Sequence, residues 1–189
     1  MSATIDKLRI EHRGMAKLLS LLDREVQAFA NSEPVDFELV QSIMEYNLQF
    51  PDMCHHPKED VIFQRLCERD AEAAKAVGDL AQEHEELHTY AVRIATAVEN
   101  ILTDHELPRE WFSELAGDYL RRMRRHMQME EVVFFPAAER VLTGDDWKTV
   151  DLQVFGMVSP LFDGHTDERY ESLRQAILLC EDGTGAAAQ

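Results

Sequence analysis

Seven residues of this sequence stand in patterns that suit metal ligation. His55-x-x-x-Glu59 and His126-x-x-x-Glu130 share one spacing, and each continues into an acid, two β-branched residues and a phenylalanine (Asp60 to Phe63, Glu131 to Phe134). Between them His84-x-x-x-His88 repeats the interval, and His12 stands alone near the start. Residues four apart lie one helical turn apart and leave a helix on the same face. Imidazole and carboxylate together are the ligand set of zinc, iron and manganese sites. Taken singly, each pair could be surface charge pairing and His12 a satisfied core histidine.

The elements that must position these residues read as helices. Residues 3–29 carry Leu8, His12, Met15, Leu19, Leu22 and Val26 at the 3,4 spacing of a buried stripe. A second helix is expected over 37–68, with Met44, Leu48, Pro51, His55, Glu59, Ile62 and Leu66 in one phase. Pro51 and Pro57 should kink or break it between 49 and 57, since proline removes a donor and clashes one turn back. If that kink rotates the chain, His56 takes the place of His55. A third helix, 71–102, places Val77, Ala81, His84, His88, Ala91, Ala95, Val98 and Leu102 on one stripe. A fourth, 108–133, carries Ala116, Tyr119, Met123, His126, Glu130 and Val133, and Pro136 should bend or end it. No strand alternation is evident. The fold class is therefore all-α: an up-down-up-down four-helix bundle over 1–142, extra C-terminal helices over 143–182 packed on it, and a flexible tail over 183–189.

Antiparallel helices of equal rise place residues at one height when they are equidistant from the turn between them. The midpoint of His12 and His55 falls at Glu33-Pro34. That of the second and third pairs falls just after Asp70, and that of the third and fourth at Leu107-Pro108. All three are expected turns. One layer should hold His12, His55, Glu59, His84, His88, His126 and Glu130. Buried polar groups need partners, so such a layer calls for cations. Seven ligands exceed a tetrahedral zinc and fit two octahedral ions, with the two carboxylates bridging and the imidazoles terminal. Imidazole with carboxylate favours iron over a structural zinc; between iron, manganese and zinc occupancy the ligands do not decide.

Composition narrows the function. The net charge of −17 repels phosphate backbones and anionic lipid, which excludes nucleic-acid and membrane-surface binding as expected roles. Cys54, Cys67 and Cys180 form no Cys-x-x-Cys pair, which suits a reducing compartment. No leader and no membrane span is evident, so a cytoplasmic location is expected. The remaining polar residues have ordinary expectations. His56, Asp60, Glu85 and Glu131 should face solvent or back a ligand, His105 and His165 should be exposed, and Tyr119 should be a core residue.

In their order these motifs resemble the haemerythrin family, in its bacterial HHE cation-binding branch, over roughly residues 5–142. The family pattern is a His on the first helix, His-x-x-x-Glu on the second, His-x-x-x-His on the third and His-x-x-x-Glu on the fourth. The resemblance implies a non-haem di-iron centre, two iron ions bridged by Glu59 and Glu130 and by an oxo or hydroxo group. It implies binding or sensing of a small gaseous or peroxide ligand: dioxygen, nitric oxide or peroxide. An enzyme that removes peroxide or nitric oxide, or a protein that stores or donates iron for iron-centre repair, are the alternatives. Whether the chain is an enzyme, and whether it is a monomer or homodimer, stay open.

Overall fold

A computed structural model describes residues 2–161 and 168–185, the latter without the side chains of Arg169 and 179–185. His165, the Cys180 side chain and tail residues 186–189 lie outside the described residues. Helix α1 is Ala3–Ala30, and α2, Phe37–Phe50, runs through a π-turn, Pro51–His55, into α3, His56–Arg69. Then come α4 (Ala71–Val77), α5 (Leu80–Leu102) and α6 (Arg109–Met129). A second π-turn, Glu130–Phe134, leads into α7 (Phe135–Val141), followed by α8 (Gly144–Gln153) and α9 (Glu171–Gly185). No strand occurs among the described residues. Helix α9 extends past residue 183, into the segment expected as a tail.

Side-chain caps set the starts of these helices. Asp36 accepts from Leu39 N–H, Asp70 from Glu72 and Ala73 N–H, and Asp79 from Gln82 N–H. The expected third helix is two helices. Gly78, at φ +94°, turns the chain between α4 and α5 in a region open to glycine, and Asp79 restarts it. Around the bundle α1 lies against α2 and α6, and α5 lies against α2 and α6. Helices α2 and α6 are thus diagonal, while their continuations α3 and α7 touch. Helix α8 packs on α1 and α3, and α9 on α1 and α2.

The kink expected near Pro51 and Pro57 is an unbroken helix with one wide turn. His56 N–H donates to the carbonyl of Pro51, and Phe135 N–H to that of Glu130, each closing a five-residue interval. A proline follows directly in each case, Pro57 and Pro136. Its ring would collide with the carbonyl four residues back in a regular helix. The extra residue of a π-turn moves that carbonyl aside and lets the helix continue.

The apolar core is divided. One cluster includes Met15, Leu19, Ile43, Phe50, Leu87, Ile94, Tyr119 and Met123. The other includes Ile5, Leu8, Ile62, Leu66, Leu80, Phe134, Phe135 and Val150. Each long helix crosses from one cluster to the other through polar residues. His12 lies between Leu8 and Met15. His55, His56 and Glu59 lie between Phe50 and Ile62, His84 between Leu80 and Leu87, and His126 and Glu130 between Met123 and Phe134.

Candidate metal centre

Six of the seven expected residues meet in that crossing layer. His12, His55, His84 and His126 are buried, and Glu59 and Glu130 are fully so. Two groups of potential ligand atoms form there: His12, His55, Glu59 and Glu130 in one, and His56, Glu59, His84 and His126 in the other. The glutamates face both. One oxygen of Glu59 lies 3.2 Å from His55 Nε2 and its other 3.5 Å from His84 Nε2. One oxygen of Glu130 lies 3.2 Å from His12 Nε2 and its other 3.1 Å from His126 Nε2. Each carboxylate therefore offers one oxygen to each group, the disposition of a bridge between two cations.

The imidazoles are aimed by carboxylates behind them. Nδ1 of His12 meets Glu131 at 2.9 Å, that of His55 meets Glu11 at 2.8 Å, that of His56 meets Asp52 at 3.2 Å and that of His126 meets Glu83 at 2.9 Å. A ring that donates through Nδ1 presents the Nε2 lone pair to the layer, as a metal-ligating histidine does. Glu11 is itself held by the buried ammonium of Lys58, and Glu131 by Arg9.

These residues fit a pair of cations. The Nε2 atoms of His56, His84 and His126 and all four oxygens of Glu59 and Glu130 are buried without an aligned hydrogen bond. An unsatisfied buried polar atom costs about 1–3 kcal/mol, so a layer of them demands neutralisation. His12 Nε2 and His55 Nε2 also face each other at 3.1 Å, where two lone pairs repel unless a cation lies between them.

The chain matches the hemerythrin HHE cation binding domain over residues 3–138, most of its length. It belongs to the haemerythrin HHE family. No curated protein matches it significantly.

Within this HHE domain the seventh expected residue, His88, lies outside both groups. Its side chain is 45% exposed, and its Nδ1 meets Asp52 at 2.9 Å. His56 stands in the layer instead, stacked on His84 with ring centroids 3.6 Å apart. The sequence sets His56 at the surface or behind a ligand, or in place of His55; here both consecutive histidines face inward. The first π-turn ends between them, and its extra residue turns His56 toward the layer. On α5 the buried stripe is Leu80, His84, Leu87, Ala91, Ile94 and Val98, not the expected one through Ala81, His88 and Ala95. Leu87 and Ile94 outweigh the alanines and turn His88 to the flank. Also missed were Glu11 and Glu83, whose role is visible only when helices are juxtaposed, and Asp52, which stands one turn before His56 in the same helical run. Tyr119 is buried in the core, His105 is exposed, and Cys54 donates to the carbonyl of Val158 rather than joining the layer.

The electrostatics of the HHE layer follow its contacts. Burial opposes a charge on His55, but the attraction of Glu59 and the bond to Glu11 lift it to about 10. Burial opposes charge on His126 too, and Glu130 with Glu83 lifts it to about 9. Burial pulls His56 down to about 4 despite Asp52. Burial disfavours the Glu130 carboxylate, yet His12, His126 and His84 hold it well below the usual range. The carboxylates that would share a cation thus favour the charged forms of His55 and His126.

Proposed function

We propose that the protein is a non-haem di-iron protein that binds or senses dioxygen, nitric oxide or peroxide. Its ligands are His12, His55, His56, Glu59, His84, His126 and Glu130. The observation that carries this reading is the pair of glutamates, each with one oxygen toward each imidazole group. Imidazole-rich, carboxylate-containing ligation favours iron among the common metals and disfavours thiolate-type zinc. Bound iron would supply the electrons and the open coordination position for a small ligand. The chain's own part is to hold and shield. Glu11, Asp52, Glu83 and Glu131 fix the imidazoles, and the two apolar clusters exclude bulk water from both sides of the layer. Five imidazoles against two carboxylates leave the centre poorer in electrons than a carboxylate-dominated site, which supports reversible binding over substrate oxidation.

The test is direct. Protein purified without added metal is expected to hold two irons per chain, and its reduced form to gain a new absorption band with dioxygen or nitric oxide. One zinc per chain would sink the di-iron reading, and the absence of any band would sink the ligand. Metal-dependent steady-state loss of peroxide or nitric oxide would make the protein an enzyme.

A further inference from the structure

The imidazoles of the layer are not backed alike. Behind His55, Glu11 is buried with Lys58, which is 1% exposed. Behind His12, Glu131 is held by Arg9, which also grips Glu139 at 3.0 Å. Both carboxylates are thus locked by a cation. Behind His56 stands Asp52, which is 45% exposed and divides its oxygens between His56 and the half-exposed His88. A cavity of ≈ 10 Å³, room for a single water, is bounded by Asp52, His56, His88, Asn47 and Tyr119. In its wall His56, more than nine-tenths buried, turns its unpartnered Nε2 to the layer.

A second opening lies over His126, a pocket of ≈ 320 Å³. Glu83, 45% exposed behind His126, lines it with Asp79 and Glu86, and Arg122 and Arg125 bring positive charge into the same wall. Among the described residues, no lysine or arginine lines the cavity between His56 and His88. That cavity instead joins a carboxylate and an imidazole at the surface to an imidazole in the layer.

We infer that Asp52 and His88 form a surface exchange station through which a divalent cation of the iron class passes into and out of the His56/His84/His126 half of the centre. This rests on the two-metal reading above. A cation that leaves a buried site one ligand at a time needs a new donor at each step, because an unpaired charge there is costly. Asp52 already touches His56, and His88 already touches Asp52. The His12/His55 half has no such neighbour, so its ion exchanges more slowly. The chain's strongly negative charge concentrates cations around the protein.

The experiment follows ferrous ion by stopped-flow, both loading into metal-free protein and release from the fully loaded protein to a coloured ferrous chelator. Wild type should release two ions in two phases. His88→Ala should still hold two ions, but load its first-exchanging ion and lose it about tenfold more slowly. The slow phase should not move, and exposed His105→Ala should change neither phase. Unchanged or faster exchange in His88→Ala would overturn the inference. So would a His88→Ala protein that holds only one ion, because His88 would then be a resident ligand. Wild-type protein that never holds two ions would instead bring down the two-metal reading itself.

Discussion

Four imidazoles in the layer, those of His12, His55, His56 and His126, are three-part devices: a lone pair toward the centre, a ring clamped by packing, and a carboxylate behind it. Removing the front part and removing the back part should therefore differ. His126→Ala or Glu130→Ala is expected to lower metal content outright, measured as metal per chain, whereas His105→Ala leaves it unchanged. Glu11→Gln keeps every ligand but weakens the hold on His55, and should raise the metal dissociation constant about 10- to 100-fold in a competition titration. His56→Ala should lower metal content, and His88→Ala should not. That contrast separates the two histidines most directly. Most of this scale was legible beforehand. His12, His55, Glu59, His84, His126 and Glu130 declare themselves by spacing. His56 did not, because its inward turn depends on one wide helical turn that spacing rules assume away. Glu11 and Asp52 did not, because a backing carboxylate belongs to a different turn or helix from the ring it supports.

At the scale of the element, apolar bulk on α5 decided which face turned inward. A stripe drawn through His84 and His88 gathers Ala81 and Ala95, while one through Leu87 and Ile94 buries far more apolar area. Leu87 and Ile94 were in plain view, and weighing size instead of counting apolar positions would have set the phase. Leu87→Ala should accordingly cost about 2–5 kcal/mol in denaturant unfolding. Ala81→Glu, on the exposed flank, should stay within about 0.5 kcal/mol. The attachment of α8 carries a pH dependence. The Arg69 guanidinium and the Thr143 side chain and backbone hold Asp146 well below the usual carboxylate range. A depressed folded-state value means this contribution is present above the ordinary carboxylate range and is lost as pH falls through the folded one. Between pH 6 and pH 2, wild type should lose more melting temperature than Asp146→Asn. An equal loss in both would detach Asp146 from the acid sensitivity.

For the molecule as a whole, the layer interrupts the core at one height on every long helix. Ions that bind only the folded chain stabilise it by mass action, about 2.7 kcal/mol at a free concentration one hundred times the dissociation constant. Chelated protein should melt well below the loaded form, and a matching curve in calorimetry would argue against a centre that joins the two clusters. Because the helices meet around charge at mid-length, loss of the ions loosens the chain from its waist, while both ends remain packed. Amides near 52–60 and 126–134 should then exchange with deuterium first, and a non-specific protease should nick the chain there. The same division would make a copy's lifetime depend on its metal supply: starved molecules would be cleared, and loaded ones spared, with no separate degradation signal.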